Sequence, residues 1–100
     1  MIEVNLNQNS SAEIDAVDDS FLYLFVGENS SVNITSRNNA TIKSNHTGDS
    51  VTIVNLEDNS FINAKTNWFS HLNIDCVSEN NYAVKKYDES IINITNERPL

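Results

Sequence analysis

Apolar and polar residues alternate along the chain with a period of two, nested inside a longer period of ten. Positions ending in two read Ile2, Ala12, Leu22, Val32, Ile42, Thr52, Ile62, Leu72, Tyr82 and Ile92, apolar in nine of ten cases. Positions ending in four read Val4, Ile14, Leu24, Ile34, Ser44, Val54, Ala64, Ile74, Val84 and Ile94, again nine of ten, where a chain that is 39% hydrophobic gives about four by chance. Columns three and five are mostly Asn, Asp, Glu, Lys or Thr. Each unit therefore predicts a strand of about five residues with one buried face. Between units stand Asn9, Asp19, Asn29, Asn39, Asp49 and Asn59, each followed by Ser or Ala, and Ser70 and Ser90 continue the small-residue series. Asn and Asp tolerate the left-handed backbone of tight turns, so these pairs predict the corners.

Identical spacing through every connection favours stacked coils, which must keep their period so that like side chains lie above like. Ten residues is too short to close a coil around a core, so two units, 20 residues, are taken as one turn. The side chains agree: Ile14, Ile34, Val54, Ile74 and Ile94 are all β-branched, while Val4, Leu24, Ser44, Ala64 and Val84 are mixed and smaller. The expected fold is an all-β parallel β-solenoid (β-helix) of about five such coils. A ten-strand β-sandwich is the alternative. At spacing 20 the corner stacks read Asn9, Asn29, Asp49, Phe69, Glu89 and Asp19, Asn39, Asn59, Glu79, with no two acids direct neighbours in either stack. Interleaved Asn relieves carboxylate repulsion at one strand spacing, which is what a hydrogen-bonded structural ladder needs.

The length of 100 residues leaves room for one domain, spanning 1–100. Its 17 Asn and 12 Ser against two Gly and one Pro fit a chain that turns on Asn and Asp. No apolar run is long enough to cross a membrane, and Met1 to Asn9 lacks the basic and apolar regions of a signal peptide, so a cytoplasmic protein with no membrane contact is expected. A single Cys76 excludes an intramolecular disulfide. A formal charge of −8 argues against direct nucleic-acid binding, which depends on Lys and Arg.

In the 20-residue register one half of each coil carries Glu13, Asp15, Asp18, Asp19, Glu57, Asp58, Asp75, Glu79 and Glu97 against Arg37 and Arg98, a net −7; the other half nets −1. Solubility explains such a surface, and so does docking to a basic partner. The candidate partner-binding acids are Asp15, Asp18, Asp19, Glu57, Asp58 and Asp75. A second candidate surface is Phe21-Leu22-Tyr23-Leu24-Phe25-Val26, apolar on both faces, which leaves Phe21, Tyr23 and Phe25 outward, with Phe61 nearby. Such a patch suits a homodimer contact or cover by a terminal segment. Trp68-Phe69 interrupts the corner rhythm and predicts a bulged or enlarged corner, and the pattern loosens through Lys85-Lys86-Tyr87-Asp88. The Arg98-Pro99-Leu100 tail is expected to cover one end of the stack.

Catalytic constellations are missing from the pattern. His46 and His71 have no Cys or carboxylate at metal-ligand spacing, and no His-Glu-x-x-His or Gly-x-Ser-x-Gly motif occurs. Gly48-Asp49 lacks the further glycines of the calcium-binding nonapeptide repeat. Asp18-Asp19 and Glu57-Asp58 read as solvated corners, and the Asn-x-Ser/Thr triplets at Asn9, Asn29, Asn33, Asn39, Asn45 and Asn93 as a consequence of composition. No catalytic residue, metal or cofactor is expected.

The units Asn29-Ser30-Ser31-Val32-Asn33-Ile34, Asn39-Ala40-Thr41-Ile42 and Asn59-Ser60-Phe61-Ile62-Asn63-Ala64 resemble the Asp/Asn-Ala/Ser-x-Val repeats of small parallel β-solenoid proteins of bacteria and phages. That likeness covers residues 9 to 64 and implies a fold, not a function. A small, acidic, rigid domain without catalytic chemistry is also similar to phage-encoded inhibitors of host defence nucleases, including anti-CRISPR proteins that mimic nucleic acid. It implies a non-enzymatic inhibitor in the host cytoplasm, occupying a basic nucleic-acid-binding surface of a protein partner. Two other expectations stand beside it: a structural segment of a fibre or filament, and a flat-face carbohydrate or ice binder using Asn33/Thr35, Asn73/Asp75 and Asn93/Thr95.

Overall fold

A computed structural model describes residues 2–76 and 81–95. Ten strands follow one another: β1 (Ile2–Leu6), β2 (Ser11–Ala16), β3 (Phe21–Val26), β4 (Ser31–Ser36), β5 (Thr41–His46), β6 (Val51–Leu56), β7 (Phe61–Thr66), β8 (His71–Asp75), β9 (Tyr82–Lys86) and β10 (Ile91–Thr95). The odd strands form one five-stranded sheet in the order β1-β3-β5-β7-β9, here sheet A, and the even strands form sheet B in the order β10-β8-β6-β4-β2. A hairpin-linked sandwich would pair consecutive strands antiparallel. Every pairing is instead parallel and offset by 20 residues, Ile2 beside Leu22, Leu22 beside Ile42 and Ile42 beside Ile62. The chain is a parallel β-solenoid, as the ten-residue rhythm predicts.

Columns two and four point between the sheets. Leu22, Leu24, Val32, Ile34, Ile42, Val54, Ile62, Leu72 and Ile74 are buried there, each contributing about 1.5–3 kcal/mol relative to exposure. Toward the ends of the stack Val4, Ala12, Ile14, Val84, Ile92 and Ile94 pack on this core but are only partly covered. Position six is a third inward column that the sequence reading leaves unassigned: Leu6, Ala16, Val26, Ser36, His46, Leu56, Thr66 and Cys76 are all buried.

Backbone pairing continues through the corners. The Arg37 N–H donates to the Ala16 carbonyl at 2.9 Å, Asn39 to Asp18 at 3.0 Å and Thr41 to Ser20 at 3.0 Å, so coil-to-coil bonding does not stop at the strand ends. That continuity imposes the constant period, because an inserted residue would break it. The turns close with bonds such as Ser20 N–H to Val17 O (3.2 Å) and Ser60 N–H to Glu57 O (3.1 Å). The serine side chain reinforces them: Ser60 Oγ donates to Glu57 O at 2.7 Å, and Ser70 Oγ to Asn67 O at 2.8 Å.

Two sequence expectations about the corners are corrected. Left-handed backbone falls mainly on position eight, at Gln8, Asp18, Asn38, Gly48, Asp58, Trp68 and Asp88, and at position nine only for Asn9 and Asn29. A left-handed φ at the second residue of the turn selects Asn, Asp and Gly there. Trp68-Phe69 does not enlarge its corner. Ser70 N–H bonds to Asn67 O at 3.2 Å as in the other turns, and the strands on both sides keep the offset of 20. Lys85-Lys86-Tyr87-Asp88 likewise stays in register, closing β9 and entering a turn. Glu79, Glu97 and the proposed Arg98-Pro99-Leu100 end cover lie outside the described residues.

Candidate functional site

The fold sorts the charges onto four long surfaces. The corner formed by residues 17–20, 37–40 and 57–60 carries Asp18, Asp19, Glu57 and Asp58, with Arg37 the only cation on it among the described residues. Asp15 and Asp75 belong to the row Asp15, Thr35, Asn55, Asp75 at the edge of sheet B that adjoins this corner. The six acids singled out in the sequence are therefore brought to one edge of the solenoid. On the other side of the same corner the first residues of the sheet A strands form a second row, in which Phe21 pairs with Thr41 and Thr41 with Phe61.

Within the corner the acids are spaced by amides. Asn38 lies between Asp18 and Asp58, its Nδ2 donating to Asp18 Oδ1 at 3.0 Å and its backbone N–H to Asp58 Oδ2 at 3.1 Å. Asn39 Nδ2 donates to Asp19 Oδ1 at 3.3 Å. Carboxylates two coils apart are roughly 9.6 Å from each other, so the intervening amide halves their Coulomb repulsion and holds both side chains in place. The ladder expected at position nine is thus shared with position eight.

Sheet A has the opposite character. Lys43, Lys65 and Lys85 project from its outer face, with Glu3 as the only carboxylate there among the described residues. Lys43 Nζ sits 5.9 Å from the centre of the Tyr23 ring. Tyr23 and Phe25 are half-buried on this face, and Phe21 is 39% exposed. The aromatic candidates therefore stand apart from most of the acids, with Phe21 alone beside the acidic corner.

The second corner, residues 7–10, 27–30, 47–50, 67–70 and 87–90, is a surface that the division of the sequence into halves conceals. It bears Glu28, Asp49, Asp88 and Glu89 and no cation. In the arithmetic of halves its charge cancels against the lysines of sheet A, which face another way. Trp68 and Phe69 stand in this corner, 60% and 53% exposed.

From the sequence His46 is weighed only as a metal ligand, and its place in the core is not foreseen. Its ring lies in the core, with Nε2 2.8 Å from Ser44 Oγ and Nδ1 2.9 Å from Thr52 Oγ1. Ser44 and Thr52 are the polar interruptions of columns four and two, and both are explained by this one ring. Burial pushes the His46 pKa down to about 4, so the ring is neutral near pH 7. Enclosed in this way, it serves packing and polar satisfaction rather than chemistry. His71 is exposed on sheet B. Among the described residues no three His, Cys, Asp or Glu side chains converge as a metal site, and no helix is long and apolar enough to cross a membrane.

No family model, characterised protein or solved structure matches this chain.

Proposed function

We propose that the protein is a non-enzymatic binding module whose acidic edge docks on a basic surface of a protein partner. The supporting observation is the collection of Asp15, Asp18, Asp19, Glu57, Asp58 and Asp75 along one edge, where Asn38 bonds to both of its acidic neighbours. Side chains already held by the stack lose little conformational freedom on binding, which favours affinity. The exposed Phe21 beside them supplies apolar area to an otherwise polar contact. A basic surface that ordinarily holds nucleic acid is the natural complement of ordered carboxylates. On this reading the module is an inhibitor of a nucleic-acid-binding enzyme, of the anti-CRISPR-like kind encoded by phages and mobile elements.

The test is capture of a basic partner by the native chain and by the variant Asp15→Asn/Asp18→Asn/Asp19→Asn/Glu57→Gln/Asp58→Asn. These amides suit the turns and leave the ladder able to form. Affinity should drop at least tenfold in the variant, and for the native chain it should weaken steeply between low and moderate salt. Undiminished, salt-insensitive capture by the neutralised variant sinks the proposal.

A further inference from the structure

Trp68 is the residue least suited to its place in this fold. Its φ is +59°, in the left-handed region that Asp, Asn or Gly occupies at the equivalent position of most other turns. A bulky side chain there is strained, and such strain persists where function requires it. The ring is also 60% exposed, so it contributes little to the core that would offset the strain. Its backbone N–H donates to Asp88 Oδ2 at 3.1 Å, which helps hold the turn.

The surroundings are anionic on both sides. A depression of about 450 Å³ on one side of the aromatic pair is lined by Glu28, Asn29, Thr47, Gly48, Asp49, Trp68 and Phe69. A second, of about 470 Å³, lies between the pair and the next coil, lined by Trp68, Phe69, Asp88 and Glu89. Neither is lined by a cation. Gly48 lets Glu28 pack close against the wall of the first one: a Cβ at that position would stand 2.8 Å from Glu28 Cγ. Aromatic faces framed by carboxylates and free of amines suit a cation. A planar guanidinium suits them best, because it stacks on an indole while its N–H groups pair with carboxylate oxygens.

We propose that the Trp68/Phe69 corner, framed by Glu28, Asp49, Asp88 and Glu89, captures an arginine side chain of the basic partner. The inference rests on the partner being basic, as argued above, but it uses a different corner of the solenoid from the Asp15–Asp75 edge. Trp and Arg are the residue types that most often dominate interface energetics.

Trp68 is the chain's only tryptophan, so its fluorescence reports on this corner directly. The probes are blocked tri-arginine and tri-lysine peptides. Tri-arginine should change the emission saturably and bind several-fold more tightly than tri-lysine. The Glu28→Gln/Asp49→Asn/Glu89→Gln variant, which keeps Asp88 for the turn, should lose at least tenfold in affinity with an unchanged melting temperature. By calorimetry Trp68→Gly should lose tri-arginine binding while melting at the same or a higher temperature, since glycine relieves the left-handed strain. No emission change, equal affinity for tri-lysine, or full binding by Trp68→Gly overturns the proposal. Tri-arginine binding that disappears in Trp68→Gly, in a chain that captures no basic protein through Asp15 to Asp75, leaves this site standing and removes only the reading on which its partner rests.

Discussion

Asn38 Nδ2 donates to Asp18 Oδ1 at 3.0 Å across the boundary between two coils. The same residue accommodates the left-handed backbone of its turn, at φ +61°, and its main-chain N–H serves Asp58 from the other side. One asparagine thus satisfies the turn and separates two carboxylates. Asn38→Asp keeps the backbone preference and places three acids in one stack. It should destabilise the fold by about 1–2 kcal/mol at low ionic strength, and by clearly less in molar NaCl, where the Debye length falls to about 3 Å. Urea unfolding of both proteins at two salt concentrations checks this. A loss independent of salt would mean that repulsion is not what the amide relieves.

Stability should also depend on pH through His46. In the fold the ring stays neutral down to about pH 4, whereas in the unfolded chain it is protonated near its ordinary value of 6.5. Between these values unfolding takes up a proton. The contribution is therefore complete above pH 6.5 and is lost as pH falls toward 4, amounting in full to about 3 kcal/mol. Denaturant midpoints from pH 7 to 4.5 should fall for the native chain and fall less for His46→Gln. Parallel pH profiles for the two would show that His46 is not the titrating group.

Gly48 has both a conformational and a steric reason to be glycine. Its φ is +66°, and an added Cβ would meet Glu28 Cγ at 2.8 Å and Glu28 Cα at 3.0 Å. Gly48→Ala should cost about 1–2 kcal/mol, more than the same change at an unobstructed left-handed site. Glu28→Ala in the same chain removes the nearer atom, Cγ, and should recover part of the loss. Additive effects in the double variant would contradict the steric part.

The coil was legible from the sequence because its two main inward columns are apolar in nearly every row, and parity then decides which residues face out. Asp15, Asp18 and Glu57 could be placed on one side by the 20-residue register, which assigns alternate units of ten to opposite halves of the coil. The third inward column was hidden by its contents: Ser36, His46, Thr66 and Cys76 do not read as core, although position six continues the inward parity of columns two and four in strands of six residues. His46 left a trace all the same, in the hydroxyls of Ser44 and Thr52 that break the apolar columns around it. The second acidic corner was missed for a geometric reason. Lys65 and Asp49 share the same half of the repeat, yet one projects from a sheet and the other from a corner. Counting charge by halves merges the two surfaces that the fold separates.

The most direct measurement is competition on a captured partner: its affinity for a nucleic-acid ligand, determined with and without a saturating amount of this protein. Mutually exclusive binding is expected, with the ligand displaced as the protein is added and displacement weakening as salt rises. A ternary complex that forms with unchanged affinity for the nucleic acid would contradict the claim that the acidic edge takes the place of phosphates.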